Sequence, residues 1–139
     1  MRVISWNFQG ASGGKIGLLM DYMAKNDIEV ACIQESGSLP KDYLNDTETL
    51  GELTIYKGHV TRHNMTYNVV QFDASLNFGA GNDRCSVAVI CAPIMLNKHL
   101  IAMDGTKLRP LLGVEVPGHM WFYSIHAPAN RAAAAVSET

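Results

Sequence analysis

Asn7, Glu35 and His126 bring an amide, a carboxylate and an imidazole, three groups that handle phosphate esters, and each ends a segment that reads as a β-strand. Glu35 follows the apolar run from Ile28 to Gln34, so its carboxylate stands at the rim of a buried strand. A hard cation such as Mg²⁺ takes oxygen ligands of this kind when the strand behind holds them still. Taken alone, the same glutamate also reads as a solvated loop acid, the commoner case. Asn7 closes the first strand, where its amide either orients the carboxylate or a phosphate, or makes a turn. His126 ends the aromatic strand that starts at Trp121 and precedes Ala127-Pro128. An imidazole there exchanges protons near neutral pH as general acid or base, or is structural. The set points to metal-assisted cleavage of a phosphodiester.

Arginines complete the inventory. Arg109, before Pro110 and a strand from Leu111, offers a planar fork for a phosphate. Arg62 and Arg84 admit the same role, and for each the alternative is a solvated surface charge. The other histidines, His59, His63, His99 and His119, fall in loop-like sequence without the helical pairing that marks zinc.

The elements that must position these groups are written in the apolar periodicity. Residues 2–7 read as a strand, and the glycine-rich stretch from Gly10 to Gly14 turns the chain. Ile16, Leu19, Met20 and Met23 then repeat at helical spacing up to Asn26-Asp27, and residues 28–34 form a mostly apolar strand. Strand, helix, strand is the opening of an α/β layer. Ser36 to Pro40 breaks it, and residues 41–52 read as a short helix or loop. From Leu53 onward the signals are strand and turn: 53–57, 66–72, 85–91, 111–116 and 120–126, with turns at Asn77 to Asn82, Asp104-Gly105 and Pro117-Gly118. The tail from Asn130 to Val136, with four consecutive alanines, reads as two turns of a helix that is expected to continue.

Composition sets the bounds. The 139 residues make one domain, 1–139, with 47% hydrophobic residues for a core and 17% charged residues, so the chain is not of a disordered class. Net charge is −2 and the eleven Lys and Arg residues are scattered, which argues mildly against a nonspecific nucleic-acid binder. In a nuclease, metal-binding acids offset phosphate-binding bases. Pro93 breaks the longest apolar run, Val87 to Leu96, so no transmembrane segment is expected, and no signal peptide is legible at the start. Cys32, Cys85 and Cys91 read as buried free thiols.

Five stretches, in order, resemble the endonuclease/exonuclease/phosphatase superfamily, whose fold is deoxyribonuclease I-like, and within it most resemble the catalytic B subunits of cytolethal distending toxins. They are Ile4 to Gly10, Ile33 to Pro40, Arg84 to Ile90, Arg109 to Val114 and Phe122 to Ala127. The Gln-Glu-Ser-Gly-Ser-Leu-Pro and Arg-Pro-Leu-Leu-Gly blocks are the ones specific to the toxin branch. The resemblance implies an α/β fold, a two-layer β-sandwich flanked by helices, and a Mg²⁺-dependent endonuclease that cleaves DNA by water attack on a phosphodiester. It assigns Glu35 as the metal ligand, Asn7 as its neighbour, His126 as the acid/base histidine, and Arg109 and Arg62 as phosphate or DNA contacts. It also implies toxin delivery subunits as partners and a secreted bacterial protein acting in the host nucleus.

The departures are specific. The superfamily carries an Asp-x-Asn element and a terminal Asp-His pair beyond the position of His126, and neither pattern occurs in this chain. The chain is therefore expected to be about the first half of such a domain, with one sheet's inner face unpartnered and self-association through the incomplete sandwich. Two further readings follow: a non-catalytic binding or assembly remnant, and a phosphoinositide phosphatase using the same residues.

Overall fold

The computed structural model describes residues 1–10, 14–79, 85–101 and 110–125. Arg84, Arg109, His126, the turn expected at Asp104-Gly105 and the tail expected to be helical lie outside the described residues.

The opening is strand, helix, strand. β1 (Val3–Asn7) and β2 (Val30–Gln34) pair in parallel, and α1 (Lys15–Lys25) connects them. Ile16, Leu19, Met20 and Met23 form one helical face, and all four are buried. Asn26 ends the helix: its backbone N–H donates to the Tyr22 carbonyl at 3.0 Å and its side-chain amide to the same oxygen at 2.9 Å. β2 is apolar throughout because both of its faces are covered. Ala31 and Ile33 pack under α1, while Val30 and Cys32 face a second core on the other side.

Seven more strands follow: β3 (Asp46–Leu50), β4 (Leu53–Arg62), β5 (Met65–Phe72), β6 (Val87–Cys91), β7 (Asn97–Ile101), β8 (Leu111–Val116) and β9 (Met120–Ile125), with a short helix α2 (Ala74–Phe78) after β5. They build a six-stranded sheet in the order β1-β2-β6-β5-β4-β3 and a three-stranded sheet in the order β7-β8-β9. Four features differ from the sequence reading. Residues 41–52 hold a 3-10 turn, Lys41–Tyr43, and then a strand, β3, whose Asp-Thr-Glu-Thr pattern is that of a charged sheet edge. β4 runs on to Arg62, and a two-residue turn at His63 and Asn64, with φ of 55° and 60°, returns the chain as a hairpin. β7 carries too many polar residues to show as a strand. α2 is five residues long and rests on its cap, Asp73.

The two sheets pack face to face. Leu112, Val114 and Val116 of β8 meet Val30, Ile55, Val70, Phe72, Val87 and Val89 of the larger sheet in one buried cluster. The inner face expected to be unpartnered is therefore covered, because β8 and β9 both contribute inward side chains to it. What stands exposed is the outer face of the smaller sheet, where Trp121 and Tyr123 stack with centroids 5.9 Å apart and planes at 17°. Gly113 lies beneath the Tyr123 ring, where a Cβ would collide with it.

Candidate active site

One rim of the sandwich collects the strand ends that matter. In the register of the larger sheet Asn7 pairs with Gln34, Gln34 with Val87, and Val87 with Phe72. The segments after β1, β2 and β5 and the one before β6 therefore open side by side.

The first two of these segments are bonded to each other. Asn7 turns its own loop, its Oδ1 accepting the Gln9 N–H at 2.8 Å. Phe8 N–H then donates to the Gln34 carbonyl at 2.9 Å and Gly10 N–H to the Glu35 carbonyl at 2.7 Å. Lys15, at the start of α1, donates to the Phe8 carbonyl. The bonding forces unusual backbone: Gln9 and Glu35 are non-glycine residues at φ 59° and 46°. A Cβ in that region costs about 1 kcal/mol or more, a strain that concentrates at functional rims. Gly37, at φ 61°, has to be glycine, since a Cβ there would stand 2.5 Å from the Gly10 carbonyl oxygen.

Behind Glu35 the loop is held from below. Gln71, fully buried in β5, donates to Ser36 Oγ at 2.8 Å and to the Gly37 carbonyl, and accepts the Leu39 N–H at 3.2 Å. Ser36 N–H donates to the Ser86 carbonyl at 3.0 Å, and Ser86 Oγ accepts the Ala74 N–H at 2.8 Å. Asp73 is buried too: Oδ1 caps α2 through Ser75 and Leu76, and Oδ2 accepts from Ser38 Oγ at 2.6 Å. Sequence reasoning missed Gln71, Asp73 and Ser86. The signal for Gln71 was a lone amide in the apolar run Val69-Val70-Gln71-Phe72, at the end of a buried strand.

The smaller sheet joins through Ser124. Its hydroxyl donates to the Ile33 carbonyl at 2.6 Å and accepts from Gln34 Nε2 at 3.3 Å. The same Nε2 also donates to the Cys32 carbonyl, and Gln34 Oε1 accepts from Ser5 Oγ at 3.1 Å. Ser5, Gln34 and Ser124 thus form one chain of hydrogen bonds across β1, β2 and β9. Asn7 and Glu35 meet at this rim, and His126 follows Ser124 by two positions in sequence, outside the described residues, as does Arg109.

Arg62 is elsewhere. It pairs with Met65, seven residues along β5 from Phe72 (72 − 65), or roughly 23 Å away at about 3.3 Å per residue. There its Nε and Nη2 bind Asp21 of α1 at 2.6 and 3.2 Å, and His63 Nε2 meets the same carboxylate at 2.6 Å. Arg62, and after it His63, hold the Asp21 carboxyl down at about 2. The structure therefore places Arg62 in a structural ion pair, away from Asn7 and Glu35.

No cluster of three or more His, Cys, Asp or Glu side chains suited to a metal occurs among the described residues. Mg²⁺ asks for less, since it keeps several waters and binds through one or two carboxylates plus substrate phosphate. Glu35, half-buried on a pinned loop beside the Asn7 amide oxygen, fits that demand.

Sandwich, topology and rim together define a deoxyribonuclease I-like fold. Among solved structures the chain is similar to CdtB, the biologically active subunit of cytolethal distending toxin, with a TM-score of 0.78 and 22% identity over 99% of this chain and 58% of that one. It is also similar to the Haemophilus ducreyi cytolethal distending toxin, with a TM-score of 0.70 and 20% identity over 96% of this chain and 55% of that one. The chain thus spans less than two thirds of the length of either. No family model and no curated protein matches the sequence. No described helix is long and apolar enough to cross a membrane.

Proposed function

We propose that this chain carries part of the site of a metal-dependent endodeoxyribonuclease of the cytolethal distending toxin kind. The observation that supports the reading best is the Ser5–Gln34–Ser124 hydrogen-bond chain, which links the three segments that hold Asn7, Glu35 and His126. A bound divalent cation would activate water and neutralise charge developing on the phosphoryl group. Glu35 holds that cation, and its loop, pinned by Gly10, Ser86 and Gln71, keeps the carboxylate from retreating. Asn7 spends its Oδ1 on Gln9 and keeps its amide N–H groups to donate to a phosphate oxygen. His126 moves a proton at an imidazole nitrogen, and Arg109 forks onto a flanking phosphate. DNA is the substrate in this reading; delivery subunits, secretion and action in a host nucleus come with it through the likeness to the toxin.

Nicking of supercoiled plasmid tests the proposal. The expected result is relaxation that needs Mg²⁺, stops with EDTA, and falls at least about 100-fold in Glu35→Ala and His126→Ala. Phosphate release from inositol lipids without nicking would replace DNA by a phosphomonoester substrate, and neither activity would leave the chain a non-catalytic member of its fold.

A further inference from the structure

A second recess opens beside the rim, on the α1 side of the larger sheet. Its volume is about 320 Å³, and Ser38, Lys41, Leu44, Tyr56, Asp73 and Leu76 line it. Three features of the fold make it. The loop from Ser36 to Leu44 covers this face where α1 does not reach, and Gly58 lets it settle, since a Cβ there would collide with the Tyr43 carbonyl. Tyr56 stands opposite Gln71 in the β4–β5 register and shares its face. Leu76 projects from α2 with 65% of its surface exposed.

The chemistry of the recess is lopsided in an informative way. Its carboxylate, Asp73, is satisfied by Ser38 Oγ, Ser75 Oγ and the Ser75 and Leu76 N–H groups. Its cation is not: Lys41, at the mouth, has no ion-pair or hydrogen-bond partner among the described residues. The groove at Lys57 and Lys98 is the contrast, because there both ammonium groups close on Glu48, at 3.4 and 3.1 Å. An unpaired ammonium, an aromatic ring and an aliphatic wall around a recess of this volume match one nucleotide unit: phosphate, base and sugar. The place is right as well. Ser38 follows Glu35 by three residues, a reach of at most about 10 Å, or about three nucleotide steps of B-form DNA.

We propose that this recess is a subsite for a nucleotide flanking the scissile phosphate, in which Lys41 holds a backbone phosphate and Tyr56 and Leu76 receive its sugar or base. It rests on the nuclease reading above and names a binding determinant of that site, outside the reacting groups. Lys41 acts on affinity, so its signature is in KM.

The test compares two phosphodiesters on the full chain with Mg²⁺: supercoiled plasmid, which reaches the recess, and bis(4-nitrophenyl) phosphate, which is too small to. Lys41→Ala and Tyr56→Ala should raise KM for plasmid about 10-fold with kcat little changed, leave hydrolysis of the small diester as in wild type, and Lys41→Arg should restore the plasmid KM. Lys41→Ala should also lower the salt-dependence slope of plasmid binding by about 1. Lys41 is exposed, so its variants keep the wild-type circular dichroism spectrum. Unchanged plasmid KM in both alanine variants of an active chain overturns the subsite and leaves the nuclease reading standing. Equal losses on both diesters overturn it too, by placing these residues in the chemistry. A wild-type chain that cleaves neither diester overturns the nuclease reading, and the subsite with it.

Discussion

Gln34 Nε2 donates to Ser124 Oγ across 3.3 Å, joining side chains 90 positions apart in sequence and in different sheets. Every polar atom of the pair is used: Gln34 reaches Cys32, Ser5 and Ser124, and Ser124 reaches Ile33. The sandwich is locked at the rim where β1, β2 and β9 end, so the positions of Asn7 and Glu35 depend on contacts made within the sheets.

Ser124→Ala should lower unfolding free energy by about 1 to 2 kcal/mol, because a buried Gln34 N–H loses its acceptor and the Ile33 carbonyl a donor. Urea denaturation measures it. A change within a few tenths of a kcal/mol would mean that water replaces the hydroxyl and that the lock is not rigid.

Gln71→Leu should cost more, about 3 kcal/mol, since one amide serves Ser36, Gly37 and Leu39 and leucine serves none. The loss should be local first. Hydrogen exchange should quicken at Leu39 in the variant before it does at Val89 in β6; uniform quickening would place the effect in the whole sandwich.

Acid should weaken the tie between α1 and the β4–β5 hairpin over a definite range. Asp21 titrates at about 2 in the folded chain against its usual 3.8, so its contribution is present above that usual value and is lost as pH falls through about 2. Thermal melts of wild type should therefore decline more steeply between about pH 4 and pH 2 than those of Asp21→Asn. Parallel curves would show that the Arg62 pairing adds nothing in solution.

Glu35→Gly should separate stability from activity. Glycine takes φ 46° without strain, so the variant should melt no lower than wild type and up to a few degrees higher, while Mg²⁺-dependent nicking disappears. A drop of several degrees would show that Glu35 holds the loop together.

The sequence showed the fold where both faces of an element are apolar. Ile16, Leu19, Met20 and Met23 marked α1, and the unbroken run of β2 marked a strand covered on both sides. It hid β3 and β7 for one shared reason. Both are polar strands, and the inward Lys98 of β7 is charged yet covered, because Glu48 of β3 receives it at 3.1 Å across the two sheets. That pairing exists only once the sheets have met. The same limit applies at the rim. Strand ends at Asn7 and Glu35 were legible from local pattern, but Gln71 works through partners more than thirty positions away, and Arg62 faces Asp21 rather than phosphate because the β4–β5 hairpin carries it to α1. Spacing along a chain does not reveal which end of a sheet a residue occupies.

The central claim is that the ends of β1 and β2 form one divalent-cation site at Glu35. Mn²⁺ titrated into ¹⁵N-labelled full-length chain tests it most directly, because the ion broadens the amide signals nearest to it. The account predicts broadening first at Asn7, Phe8, Glu35 and Ser36, abolished in Glu35→Gln. Broadening centred on Asp46 and Glu48, or a pattern unchanged in Glu35→Gln, would contradict it.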